Sequence, residues 1–262
     1  MPLDPTDLDI NALRRALADR TLGGRALYYG SLDSTMDEAG RLAARGEPQG
    51  TVVVAEEQTA GRGRFQREWV SPPGENLSFS VILRPTPAQL PYLNMAATLA
   101  VSDAVSSFTG RTATVKWPND VRVGGRKISG ILIETSMDTS EVAHTVVGVG
   151  LNVNLDPSAY PEIADTATSL LRETGRRMDR TRVLTLLLEK FDDLFGKVSS
   201  GRSLTADWSA QLDTLGRKVQ VRWGERVLEG RAESVDEQGN LVLLQPDGTT
   251  IKATAGEVTL QV

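Results

Sequence analysis

One short stretch of this chain crowds positive charge, backbone freedom and an aromatic ring together: Gln58-Thr59-Ala60-Gly61-Arg62-Gly63-Arg64-Phe65-Gln66-Arg67-Glu68-Trp69. Each guanidinium presents a planar fork of donors that suits phosphate or carboxylate oxygens. The glycines let the backbone bend sharply and approach a ligand closely. Trp69 offers a flat face for a base. The run Thr51-Val52-Val53-Val54-Ala55 reads as a strand that enters this segment directly. The segment is therefore a loop on a rigid scaffold, suited to a nucleotide or an acyl phosphate. Alone, a Gly/Arg run is read equally well as a solvated basic turn.

A second cluster bears on that choice. Lys116-Trp117-Pro118-Asn119-Asp120 precedes Gly125-Arg126-Lys127-Ile128-Ser129-Gly130-Ile131-Leu132-Ile133-Glu134. Val121-Arg122-Val123 and Ile131-Leu132-Ile133 read as strands of a hairpin, with Gly124-Gly125 as its turn. Lys127 stands where the return strand starts. Gly130 lies inside it, where glycine marks a bulge or a close approach. A lysine beside such an approach can reach an anionic ligand. Taken singly, Lys127 is an ordinary exposed lysine and the Trp-Pro-Asn-Asp run is a turn around a packed tryptophan.

Together these residues resemble the biotin protein ligases, also called biotin–[acetyl-CoA-carboxylase] ligases. The resemblance rests on Gly61-Arg62-Gly63-Arg64, on Lys116 to Asp120 and on Arg126-Lys127-Ile128-Ser129-Gly130-Ile131-Leu132. It also rests on Asp33-Ser34-Thr35 and on Gly148-Val149-Gly150-Leu151-Asn152-Val153-Asn154, all in family order. It covers roughly residue 27 to the C-terminus and is strongest over 33–154. Two features depart from the common pattern: Met36 follows Ser-Thr, and Phe65-Gln66 stands in the loop.

The resemblance implies an α+β fold: a class II aminoacyl-tRNA synthetase-like catalytic domain over 1–215 and an SH3-like β-barrel over 216–262. It implies a reaction in which the carboxylate of biotin attacks the α-phosphate of ATP. Biotinyl-5′-AMP then passes biotin to a lysine of a biotin carboxyl carrier domain. Cations must offset the repulsion of two anions, and Lys127, Arg62, Arg64 and Arg67 are available. By family position Lys127 contacts the biotin carboxylate and the α-phosphate, and Arg64 holds the adenylate. Ser34, Thr35 and Gln58 face the neutral ureido ring. Adenine lies against Trp69, with Asn119 and Asn152 as polar partners. Asp120 is the candidate base for, or orienter of, the acceptor lysine. Mg²⁺ would bridge the ATP phosphates without a dedicated protein metal site. Family members occur as monomers or as homodimers joined at a sheet edge. Many carry an N-terminal winged helix-turn-helix; with about one helix before Tyr28 this chain resembles the short form, without a DNA-binding role.

Composition is compatible. A chain of 262 residues can bury one large core and a small second one. Its net charge of −5 disfavours a polyanion as partner, so the arginine loop is a basic island in an acidic protein. There is no cysteine, hence no disulfide or thiolate chemistry, and the single histidine, His144, sits in a strand-like run, 142–147, without catalytic neighbours. No run approaches the roughly 20 apolar residues of a membrane span. The N-terminus lacks the features of a signal peptide, and a cytoplasmic location is expected.

Periodicity predicts a helix over 8–18 behind an Asp7 cap, a strand from Tyr28, and a helix to Arg45 opened by a Ser34…Asp37 capping box. An alternating strand follows over 77–83, then a helix over 93–108. Strands are expected near Val115, over 128–135 and over 142–153. Helices are expected over 168–173, 182–197 and 204–215. After Gly216 the pattern is all β: 218–223, 226–235, 241–244 and 249–253. Two other readings compete. A lipoate or octanoate ligase shares the fold class, but its Arg-Arg…Gly-Gly-Gly pattern is absent. A non-enzymatic binding module conflicts with the intact lysine and arginine set.

Overall fold

A computed structural model describes residues 8–67, 69, 71–139 and 141–260. Its main sheet is built from β1 (Ala26–Leu32), β2 (Val52–Gln58), β3 (Leu77–Leu83), β4 (Ala113–Lys116), β5 (Asp120–Val123), β6 (Arg126–Asp138) and β7 (Glu141–Leu151). The strand order is β1-β2-β3-β7-β6-β5-β4. β1 and β2 run parallel, and every other neighbouring pair is antiparallel.

Both faces of the sheet are covered. On one lie α3 (Leu90–Thr109) and α5 (Arg180–Ser199), which pack on each other. On the other lies α2 (Thr35–Ala44), whose Met36, Ala39 and Ala43 form a separate small core with Val53, Ile82 and Val146. This double cover explains one departure from expectation. The 77–83 strand does not alternate in burial; all of β3 is buried, because helices shield both of its faces.

Other departures are local. α1 spans Ile10–Ala16 and is capped by Asp9, whose carboxylate accepts from the Ala12 amide; the expected cap, Asp7, lies outside the described residues. α2 begins as expected at Ser34, but Ser34 makes no side-chain cap bond and the capping box is not formed, since Asp37 pairs with Arg62 instead. α4 (Leu170–Thr174) and α6 (Thr205–Gln211) are shorter than the periodicity suggests. Leu212 turns to extended backbone and bridges to Val115 of β4.

Beyond residue 216 the chain forms an antiparallel sheet in the order β11-β10-β9-β8-β12. These strands are β8 (Lys218–Trp223), β9 (Arg226–Val235), β10 (Leu241–Leu244), β11 (Thr250–Ala253) and β12 (Glu257–Leu260). The last was not expected: Glu257-Val258-Thr259-Leu260 is too short and polar to stand out, and it becomes a strand by pairing with β8. Val219, Val221, Ala232, Leu241, Leu243, Ala253 and Val258 face inward and are continuous with the main core.

β2, which delivers the arginine loop, is anchored by a buried ion pair. Arg180, fully buried at the start of α5, reaches Glu56 at 2.8 and 3.3 Å. Glu56 also accepts from the Gly74 amide and the Tyr28 hydroxyl. Removing one partner of such a pair leaves an uncompensated buried charge. Arg180→Ala is therefore expected to lower stability by about 3–5 kcal/mol in urea unfolding; a loss below about 1 kcal/mol, the level of an exposed pair, would remove the pair as an anchor.

Candidate active site

One cavity of about 440 Å³ gathers most of the residues singled out by sequence. Ser34, Thr35, Gln58, Arg62, Arg64, Arg67, Trp69, Asn119, Asp120, Lys127 and Asn152 all line it. It lies over the strand sequence β2-β3-β7-β6-β5-β4, with α2 at one end and the β4–β5 edge at the other.

A bulge aims Lys127. The β5–β6 register steps from Val121↔Ser129 to Arg122↔Lys127, so Ile128 is an extra residue on β6. In a regular strand, residues 127 and 130 would point to opposite faces; one inserted residue brings Lys127 onto the face of Gly130. The strand start is clamped as well: the Lys127 amide donates to Thr166 O, and its carbonyl accepts from the Thr168 amide, both at 2.8 Å. A Cβ on Gly130 would come within 3.1 Å of Lys127 Nζ. Lys127 Nζ lies 2.6 Å from Asp120 Oδ1. Asp120 is thus the counter-ion of Lys127 rather than an isolated base.

The arginine segment folds as a narrow hairpin, with the Trp69 amide donating to Gly61 O at 3.0 Å and the Gly63 amide to Arg67 O at 2.7 Å. At its tip Phe65 adopts φ +56°, in the left-handed region that costs a bulky residue. The arginines do not share one role. Arg62 pairs with Asp37. Arg67 pairs with Glu257 of β12 at 2.7 Å. Arg64 donates to Asn119 Oδ1 at 3.1 Å and to Gly256 O at 3.0 Å. Burial draws the Arg64 guanidinium below its ordinary pKa, opposed by Asp120 and Glu257. Arg64 has no carboxylate partner among the described residues, so it keeps its charge for a ligand. The second sheet therefore supplies two anchor points for the hairpin, which the sequence reading did not anticipate.

Trp69 lies flat on the backbone of β7. A Cβ on Gly150 would stand 2.3 Å from its Cε2, and only glycine admits the ring there. Lys127 Nζ sits 5.8 Å from the ring centroid. Asn119 is already engaged at both ends, receiving Arg64 and donating to Ile131 O at 2.6 Å. Asn152 is buried and donates to Thr168 O at 3.0 Å. Both asparagines brace the walls around the charged groups.

At the α2 end the two neighbouring hydroxyls differ in their bonding. The Thr35 hydroxyl is committed, donating to Gln58 Oε1 at 3.1 Å and accepting from Ser80 Oγ at 2.8 Å. Ser34, expected both to cap α2 and to face a ligand, is 3% exposed on the cavity wall and makes no cap bond. Ser34 is the hydroxyl available to a ligand.

Further lining residues carried no assigned role in the sequence reading: Lys116, Arg122, Glu257, Met36 and the Ile163–Ala167 side. Arg122 was accessible to reasoning, since it follows Asp120 by two on the same strand. Among the described residues, no group of three or more His, Asp or Glu side chains could hold a metal ion. No helix there is long and apolar enough to cross a membrane.

Residues 29–152 match the Biotin/lipoate A/B protein ligase family, and residues 214–260 match the Biotin protein ligase C terminal domain. The biotin–[acetyl-CoA-carboxylase] ligase of Mycobacterium tuberculosis is 34% identical, over 95% of this chain and 98% of its own. The chain belongs to the biotin protein ligase family. Within that family, the bifunctional ligase/repressor BirA of Bacillus subtilis is 33% identical, over 93% of this chain and 77% of its own. The Aquifex aeolicus biotin protein ligase, solved in complex with biotin and ATP, superposes with a TM-score of 0.75 at 31% identity, covering 90% of this chain and 98% of that one.

Proposed function

We propose that this chain is an ATP-dependent ligase that forms biotinyl-5′-AMP from biotin and ATP and transfers biotin to a lysine of a biotin carboxyl carrier domain. The observation that carries this reading is the convergence, in one cavity, of Lys127, the arginine hairpin and the flat face of Trp69 in a chain of this family. The catalytic part, 1–215, takes the class II aminoacyl-tRNA synthetase-like role, and 216–262 the SH3-like one; the antiparallel order of the second sheet supports this.

Biotin enters with its ureido ring toward Ser34, Thr35 and Gln58 and its carboxylate toward Lys127. Trp69 supplies the surface for adenine, with Asn119 and Asn152 lining the same space. Lys127 offsets the charge of the two approaching anions, and Asp120 fixes the ammonium at 2.6 Å. In the second half-reaction the same carboxylate is the nearest acceptor for the proton of an incoming lysine. Mg²⁺ supplies charge neutralisation on the phosphates. The charged residues of the lining are mainly cations, and among the described residues there is no carboxylate cluster, so the phosphates themselves would carry the metal.

Biotin-dependent release of pyrophosphate, followed by biotin transfer to a carrier domain, tests the reading. One variant separates the steps. Arg64→Gly removes a half-buried cation and its bonds to Asn119 and Gly256, which hold the hairpin over the cavity. It is expected to form biotinyl-5′-AMP but to release it about 100-fold faster, the worth of one or two charge-assisted bonds. Dissociation measured by stopped flow at the wild-type rate would contradict this.

A further inference from the structure

We propose that Lys116 and Arg122 form the subsite that receives the departing pyrophosphate. This rests on the ligase reading above and names residues for its leaving group.

Lys127 is paired with Asp120, Arg62 with Asp37 and Arg67 with Glu257. Lys116, at the end of β4, lines the same cavity and makes no ion pair among the described residues. Burial lowers the Lys116 pKa, opposed chiefly by Asp120, so an anion bound there would stabilise the ammonium. Arg122 also lines the cavity, and its Nε is buried without a hydrogen-bond partner. Its Nη1 forms a long ion pair with Asp213 at 3.8 Å, beyond hydrogen-bond reach. The cavity thus holds one cation without a counter-ion among the described residues, Lys116, and one, Arg122, whose Nε stays unbonded.

Their placement matches the stereochemistry. Attacking and leaving oxygens lie roughly in line on opposite sides of the α-phosphorus. Biotin's carboxylate arrives from the side of Gln58 on β2, and Lys127 on β6 marks the junction. The leaving group then points onward across β5 to β4, where Arg122 and Lys116 stand. A carboxylate oxygen of biotin bonds to the α-phosphorus, the bond from that phosphorus to the α–β bridging oxygen breaks, and its electron pair leaves with pyrophosphate. No proton transfer is required. Arg122 also lines a second cavity, with Arg111, Thr112, Thr114, Asp213 and Arg217.

The test uses the full chain with Mg²⁺ and compares wild type, Lys116→Met, Lys116→Arg and Arg122→Gln. Pyrophosphate–ATP exchange, adenylate formation, and transfer from supplied biotinyl-5′-AMP are measured, with biotin binding by calorimetry as the folding control. Lys116→Met and Arg122→Gln should each raise the pyrophosphate concentration for half-maximal exchange and slow adenylate formation, by about 10–100-fold for a lost charge-assisted contact. Transfer from supplied adenylate should stay within about twofold of wild type, since AMP carries no pyrophosphate, and Lys116→Arg should restore most of the exchange. Unchanged pyrophosphate dependence in both variants, or equal losses in both half-reactions, would overturn the subsite. Wild type is measured first: no biotin-dependent pyrophosphate release there would instead sink the ligase reading itself.

Discussion

Lys127→Ala is expected to slow adenylate formation by about 10³-fold or more. Removing one donor that stabilises developing charge costs about 10²–10³ in rate. Here the loss is compounded, because the variant strips Asp120 of its counter-ion at 2.6 Å and leaves a bare carboxylate facing two incoming anions. Lys127 and Asp120 are 37% and 26% exposed, so water screens that carboxylate and limits the added penalty to about tenfold. The coupling is directly measurable. Lys127→Ala with Asp120→Asn should recover about that factor relative to Lys127→Ala alone, because the repulsion goes with the charge. Single-turnover formation of adenylate is the readout. A Lys127→Ala rate within tenfold of wild type would mean that the arginines carry the transition-state charge instead.

Gly150→Ala is expected to weaken ATP binding by about 100-fold while leaving biotin binding nearly intact. The backbone of Gly150 is not in the left-handed region, so alanine is tolerated by the chain itself. Its methyl would stand 2.3, 2.6 and 2.8 Å from three atoms of the Trp69 indole. The ring cannot stay flat on β7 and must leave its place. Loss of a stacked aromatic face is worth about 1–3 kcal/mol per base. Gly148→Ala is the internal control on the same strand. Its methyl meets Met36 Sδ at 2.4 Å, the end of a flexible side chain that can swing aside. That change should touch the α2 end of the cavity and leave ATP binding alone. Calorimetric titration of each ligand separates the cases, and equal losses for ATP in both variants would contradict the role given to Trp69.

Much of this site was legible in the sequence because its chemistry is written in local patterns. Glycines beside arginines marked the hairpin, and a glycine pair marked the β5–β6 turn that presents Lys127. What escaped reading depended on contacts far apart in sequence. Arg64 and Arg67 reach Gly256 and Glu257, nearly 200 residues away at the start of a strand that exists only through its pairing with β8. The commitment of the Thr35 hydroxyl follows from Ser80 and Gln58, which reach it from other strands. The aim of Lys127 depends on a bulge at Ile128 that hydrophobic pattern alone does not reveal. β3 read as alternating because a sequence window cannot show that helices cover both faces of a sheet.

The most direct measurement is transfer of labelled biotin or labelled lipoate to a carrier domain by the wild-type chain, with ATP and Mg²⁺. The account predicts ATP-dependent labelling of a single carrier lysine by biotin, with pyrophosphate released in the first step and lipoate left unused. Labelling by lipoate with biotin ignored would contradict it, as would silence with both acids despite bound ATP.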